Sequence, residues 1–370
     1  MSVLLKKPLF EGVSQKELCE QLEAKKKCQH KLPKWFTTPL IYYPNKLHIE
    51  QTSSEVTAQY KASLIRGKSL LDITGGLGVD CFFFAKNFDR VKHCEWNENL
   101  SQITAHNYAV LDVKNIECLT ENGIRYLQRS KENFDWIFID PSRRNESRGK
   151  VFLLADCLPN VPENLELFFE HTNKIILKTS PLLDIKQGLN ELRFVKEIHV
   201  IAVQNEVKEI LWLLENNHTL APSIKTVNLK KNIKEVFDFT LAHEKTASSQ
   251  FDSPKTYLFE PNSAILKAGA FKLIGSTYKL QKLHEHSHLY TSSLLIDFPG
   301  RCFLIEKVIN YNRKEILKLA LGKANITTRN FPETVGTIRK KFKIKDGGEY
   351  YLFFTTNVEN KRIVIVCKKA

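Results

Sequence analysis

The stretch Leu70-Leu71-Asp72-Ile73-Thr74-Gly75-Gly76-Leu77-Gly78-Val79-Asp80 joins an apolar run to a helical pattern through three glycines. Glycines there let a backbone approach a bound group closely, and free N–H groups at the start of a following helix attract a carboxylate or phosphate. The competing reading is ordinary tight strand–helix packing. Glu95 shifts the balance, because it stands twenty residues after Gly75 at the end of the next apolar run. An acidic side chain in that place pairs with both hydroxyls of a ribose, so the two signals together point to an adenosine cofactor. Asn122, just past the third run, is placed to reach an adenine or to be a plain loop amide.

Two cofactors fit such a turn. A dinucleotide pattern G-x-G-x-x-G counted from Gly75 or Gly76 wants a glycine where Asp80 or Cys81 stands. The S-adenosylmethionine pattern, an acidic residue followed by alternating glycines, fits Asp72, Gly76 and Gly78, with Thr74 in the place of the first glycine. S-adenosylmethionine is therefore favoured, with Asp72 holding the amino group of its methionine part directly or through water.

The fourth apolar run ends in Asp140-Pro141-Ser142-Arg143-Arg144, at the strand end where a doubly wound sheet places its reacting groups. Methyl transfer is an in-line displacement, so a protein mainly has to position a lone pair and exclude competing water. Asp140 suits a hydrogen bond from a base nitrogen, and Arg143 and Arg144 suit flanking phosphates. A turn cap and surface ion pairs are the plainer alternative. The next run ends Lys178-Thr179-Ser180-Pro181, and neither loop carries the cysteine that carbon-5 methylation of RNA needs, which points to nitrogen or oxygen. His284, His286 and His288 alternate, but no acidic or cysteine partner has a ligand spacing to them, so no metal is expected. The run Arg339-Lys340-Lys341-Phe342-Lys343-Ile344-Lys345 would put Lys341, Lys343 and Lys345 on one side of an extended stretch, a ridge suited to RNA or simply to water.

Positioning these groups takes an alternation of strands and helices. Apolar runs at Ser69–Thr74, Val91–Trp96, Ile116–Thr120, Trp136–Asp140, Lys174–Lys178 and Phe194–Val203 alternate with helical stretches such as Val79–Asn87 and Glu98–Leu111. A last strand, Val207–Leu214, follows Gln204-Asn205-Glu206, too short for a parallel crossover, so it returns antiparallel. The expected fold is α/β, a Rossmann-like sheet of seven strands as in class I methyltransferases. Before it, residues 14–30 read as a helix stopped by Pro33, an extended stretch follows, and a second helix starts with Thr52 or Ser53 as N-cap and Val56, Tyr60 and Leu64 on one face. Beyond a polar linker at Glu215–Ser223, strands at Phe237–Leu241, Thr256–Phe259, Ser263–Leu266 and Leu289–Ile296 suggest one small α+β unit. Cys302–Val308, helices at Arg313–Leu321 and Thr334–Lys340, and strands Tyr350–Thr355 and Arg362–Cys367 suggest another. The divisions are an N-terminal helical segment at 1–67, a cofactor domain at 68–221 and two α+β domains at 222–298 and 299–370.

With 370 residues, of which 42% are apolar, the chain can bury more than one core. It has no apolar run of membrane-spanning length, and its eight cysteines are scattered, so a cytoplasmic protein with reduced thiols is expected. The net charge of +14 is uneven: residues 299–370 hold sixteen basic against six acidic residues, whereas 71–221 is acidic. A segment that basic attracts a polyanion, which suggests nucleic acid.

Several stretches in one order also resemble a bacterial family of RNA methyltransferases in which a class I domain is followed by a ferredoxin-like and a THUMP-like domain. They are Glu50–Glu55, Asp72–Asp80, Asp140–Arg144, Pro261–Gly269, Arg329–Pro332 and Lys345–Gly348, and the resemblance runs from about residue 30 to the end. It implies S-adenosylmethionine as cofactor and RNA as partner, tRNA above all, since related THUMP modules dock it. On that view Asp72, Thr74, Gly75, Gly76, Gly78, Asp80, Glu95 and Asn122 form the cofactor site and Asp140, Pro141 and Ser142 the catalytic loop. Gln51, Ser53, Ser54, Arg143, Arg144, Lys178, Arg339, Lys341 and Lys343 are expected to meet the substrate. A protein or small-molecule substrate, or an RNA-binding protein with a vestigial cofactor fold, are the rival readings.

Overall fold

Residues 14–143, 153–231 and 233–370 are described in a computed structural model, which divides into two compact units, 1–198 with 208–222 and 199–207 with 223–370. The first unit is built on strands β1 (Gly67–Asp72), β2 (Phe88–Cys94), β3 (Ile116–Leu119), β4 (Trp136–Ile139), β5 (Lys174–Thr179), β6 (Val195–Val203) and β7 (Glu206–Glu215). Their order is β3-β2-β1-β4-β5-β7-β6, and β7 alone runs antiparallel to its neighbour β5. β1, β4 and β5 are apolar on both faces because helices cover both. Leu70, Leu71, Ile137, Ile139, Ile175, Ile176 and Leu177 are all fully buried. The parallel pairings put the carboxyl ends of β1, β2, β4 and β5 at one edge, where the expected functional residues stand.

In the second unit the end of β6 is flanked by a hairpin, Ser223–Leu229 with Lys234–Thr240, so this sheet counts nine strands rather than seven. A second sheet of seven strands runs from Gln281–Lys282 through Tyr290–Ser292, Tyr257–Pro261, Gly300–Asn310, Arg362–Lys369 and Tyr350–Thr356 to Asn325–Arg329. It carries apolar clusters centred on Phe303 and Phe353 and on Phe354 and Phe342. Among the described residues, no helix is long and apolar enough to cross a membrane.

Several local expectations are corrected. Pro33 does not leave the chain extended. It occupies the first turn of a new helix, Pro33–Thr37, where its missing N–H costs nothing, and a further helix follows at Lys46–Gln51. The helix Glu55–Leu64 starts one residue later than a Ser53 cap, and two later than a Thr52 cap, would set it, because Ser54 accepts the Thr57 N–H. Its buried side carries Thr57, Ala58 and Lys61, while Val56 is exposed. Ser263–Leu266 is helix rather than strand: Asn262 caps the N–H groups of Ala264 and Ile265, and Gly269 ends the helix left-handed at φ 81°. The strands Ser223–Leu229 and Asn325–Arg329 went unread in the sequence.

Candidate functional site

β1 delivers the chain to the glycine turn with Asp72 buried beneath it. Neighbours force two of the glycines: a Cβ on Gly75 would fall 2.3 Å from the His93 ring, and one on Gly78, whose φ is 71°, would fall 1.9 Å from the Tyr108 hydroxyl. Gly76, also left-handed at φ 58°, has nothing closer than 3.9 Å to such a Cβ and opens to the cleft. The helix Glu98–Val110 satisfies the turn's carbonyls, Thr104 donating to Gly76 O (3.0 Å) and Tyr108 to Gly78 O (2.8 Å). The following helix, Val79–Phe84, has six residues instead of the nine expected. Under two turns long, it brings little field of its own, so what the site offers a ligand here is the turn's own backbone.

Thr74, the departure from the glycine pattern, has a clear role. Its hydroxyl donates to Asp72 Oδ1 (3.2 Å) and accepts the Asp140 backbone N–H (2.7 Å), tying the turn to the loop after β4. The isosteric change Thr74→Val leaves that N–H without a partner. It is expected to cost about 1–3 kcal/mol in denaturant unfolding and to speed hydrogen exchange at the Asp140 amide. Thr74→Ser, which keeps the hydroxyl, should stay within about 0.5 kcal/mol of the parent; a neutral valine variant would show that the bridge does not form.

Burial pushes the Asp72 carboxyl up to about 7, against hydrogen bonds from Thr74 and Cys81 that pull it down. None of its partners is a cation. Glu95, also buried, accepts the Gly76 N–H (2.9 Å) and the Asn97 N–H (2.7 Å), one on each oxygen. Each oxygen keeps a second lone pair. Beside it, Trp96 is 76% exposed, an aromatic surface that sequence reasoning had placed inside a strand. Asn122 uses its side-chain oxygen to cap the helix Gly123–Arg129 and lines the cleft. A buried carboxyl group without a cationic partner, a carboxylate with spare lone pairs, an open glycine and an exposed indole together fit the ammonium, ribose and adenine of S-adenosylmethionine.

Asp140, Pro141 and Ser142 line the same cleft, whose volume is 1710 Å³. That exceeds the ~300–1,000 Å³ of a single small-ligand pocket and leaves room for a second partner. Register pairs Ile139 with Leu177, so Asp140 and Lys178 stand side by side, and the Lys178 ammonium donates to Asp140 Oδ2. Burial works against the lysine's charge, but Asp140, Glu209 and Asp80 outweigh it and hold its pKa well above the ordinary lysine value. Gln51 and Ser53 line the cleft from the other side, whereas Ser54 is taken by its helix cap. Asp80 borders the cleft but is committed inward, to Ser53 Oγ (2.7 Å) and the buried Lys61 (3.1 Å). Lys61 also bonds Glu209 at 2.7 Å, a cluster that nothing in the local sequence announced.

The basic residues divide. Ser142 and Arg143 pair by backbone with Leu158 and Cys157, and Arg144 lies outside the described residues. Arg339 to Lys345 is no extended ridge: Thr334 caps a helix, Val335–Phe342, and Lys343 closes it left-handed at φ 56°. Arg339 is engaged by Asp346 and the Ala324 and Ile344 carbonyls, and Lys341 by Glu333 and Tyr311, while Lys343 is exposed. His284 faces Asn330 and Asn360, and His288 stacks on Phe271; among the described residues no group of metal-ligating side chains occurs.

A family profile for a ferredoxin-like domain matches residues 257–299, and one for a THUMP-like domain matches 300–369. The crystal structure of a candidate methyltransferase from Porphyromonas gingivalis W83 is similar over 100% of this chain and 94% of its own, with 33% identity and a TM-score of 0.92. A modification subunit assigned to a type I restriction enzyme of Vibrio vulnificus YJ016 matches 53% of this chain and 56% of its own at 10% identity and TM-score 0.37. A candidate methyltransferase of Streptococcus mutans, solved with S-adenosylhomocysteine, matches 44% and 96% at 13% identity and TM-score 0.32. The last two scores carry no argument, and no curated protein matches the chain. The full-length likeness to the P. gingivalis protein, with the two domain matches in that order, makes this chain a member of the class I methyltransferase family that carries a ferredoxin-like and a THUMP-like domain.

Proposed function

We propose that the protein methylates a base nitrogen in structured RNA, tRNA first among candidates, with S-adenosylmethionine as cofactor. The observation that carries this reading is a single cleft lined by the glycine turn and Glu95 together with Asp140 and Lys178, with Asp72 buried directly beneath the turn. The cofactor supplies an activated methyl group on a sulfonium. Asp72 is suited to its ammonium, Glu95 to its ribose, Trp96 to its adenine, and the Gly76 N–H region to close backbone approach. Asp80 then supports the turn from beneath rather than touching the cofactor. Asp140, held by Thr74 and Lys178, accepts a hydrogen bond from the target nitrogen and aims its lone pair, with Pro141 and Ser142 shaping the loop. A base reaches such a loop only when it is unstacked, at a cost of a few kcal/mol.

The RNA part rests on the THUMP-like domain and on the net charge of +10 over residues 299–370. Lys343, with the likewise exposed Lys340 and Lys345, is better placed for a phosphate than Arg339 and Lys341, which already have anionic partners. Filter binding of tRNA at several salt concentrations checks this. Contact with about four phosphates predicts a log–log slope of about −3 or steeper. A flat slope, or methyl label entering only protein or small metabolites, would falsify the RNA assignment.

A further inference from the structure

From the Asp140–Lys178 pair we infer that the methylated atom is a ring nitrogen flanked by a carbonyl, the lactam edge of guanine or uracil, rather than an amino group or an unprotonated ring nitrogen. This rests on the proposed function and narrows it. The two side chains end adjacent parallel strands, with side-chain exposures of 33% and 12%, and both face the cleft. Only one carboxylate oxygen takes the lysine, so the other is available, and the ammonium keeps protons beyond the one given to Asp140. Side by side, they present one acceptor and one donor. A lactam offers the complement, an N–H beside a C=O.

The carboxylate alone suits any N–H; the cation decides. A lactam nitrogen must lose its proton to become nucleophilic, and the resulting charge spreads onto the neighbouring oxygen, where an ammonium stabilises it. The proton passes to Asp140. The nitrogen's electron pair forms the bond to the methyl carbon of the sulfonium donor, and the breaking carbon–sulfur bond leaves its electrons on sulfur. The products are the neutral N-methyl base, the neutral thioether and one proton on Asp140. An amino nitrogen, or a ring nitrogen without a proton, becomes positively charged as it is alkylated, and a fixed ammonium opposes that charge. The lysine is held as a cation by Asp140, with Glu209 and Asp80 behind it.

The test uses full-length protein, radiolabelled S-adenosylmethionine and RNA from cells lacking the protein, digested to nucleosides. Label is expected in 1-methylguanosine or 3-methyluridine, which separate by chromatography and identify the base. Label in a methylated adenosine or cytidine, in N2-methylguanosine or in ribose overturns the inference but leaves RNA methylation standing. No label in RNA overturns both. Lys178→Met should lower turnover about 100-fold, with S-adenosylhomocysteine and RNA affinities changed by less than about threefold. Lys178→Arg, keeping the charge, should recover at least about a tenth of the parent rate. Unchanged turnover in Lys178→Met would show that the cation plays no part.

Discussion

Lys61→Met is expected to lower the free energy of unfolding of the first unit by about 3–5 kcal/mol, the loss typical of breaking a buried ion pair from one side. The Lys61 side chain is 0% exposed, and its ammonium bonds both oxygens of Glu209 (2.7 and 2.9 Å) and Ser53 Oγ (2.9 Å) and forms an ion pair with Asp80 Oδ1 at 3.1 Å. It thereby joins the helix Glu55–Leu64 to the helix after the glycine turn and to β7. Methionine fills the space of the aliphatic stem but leaves the buried carboxylates of Glu209 and Asp80 without the cation that contacts them, and only the more distant Lys178 ammonium to offset their charge. Urea unfolding followed by a probe in the first unit measures the loss. Adding Glu209→Gln to Lys61→Met should return part of it, because one uncompensated charge is gone. A loss below about 1 kcal/mol would mean that water already screens the cluster.

The second large effect is on cofactor binding: Glu95→Ala should weaken S-adenosylhomocysteine about 100-fold in calorimetry. Charged hydrogen bonds contribute about 1.5–3 kcal/mol each, and alanine removes those to the ribose while releasing the Gly76 and Asn97 N–H groups. Glu95→Gln keeps an acceptor and should fall between. Binding unchanged by Glu95→Ala would place the cofactor elsewhere. The same titration carries a pH signature from Asp72. Its folded pKa of about 7 lies above the ordinary 3.8, so the ligand-free fold holds a proton that the unfolded chain has lost. Stability contributed by that proton is present at low pH and falls away as pH rises from about 4 through about 7. An ammonium ligand needs the ionised carboxylate, so affinity should strengthen as pH rises through about 7, until the ligand's own ammonium begins to lose its proton. Asp72→Asn should remove this dependence, stabilise the ligand-free protein at alkaline pH and bind the ligand poorly.

The seven strands β1 to β7, the glycine turn, the places of Asp72 and Glu95 at strand ends and the antiparallel return through Gln204-Asn205 were legible in the sequence. Each is written in neighbouring residues: an apolar run, a turn that a side chain would obstruct, a connection too short to cross over. Charge along the chain was legible for the same reason. Local pattern misled where two periodicities competed, as at Ser263–Leu266, where the Asn262 cap decided for helix, and at Lys341–Lys345, where a helix end replaced an extended ridge. The tertiary structure alone decided the rest. Thr74 looked like a flaw in the turn until Asp140, 66 residues away, proved to donate to its hydroxyl. Lys61 reads as a surface lysine on any helical wheel, and only its meeting with Glu209, 148 residues on, makes it part of the core. Lys178 ends a strand in the sequence but becomes a fixed cation only through register with Asp140. Periodicity reports which face of an element is apolar; which charges meet across faces depends on sheet order, and no local window of sequence contains that.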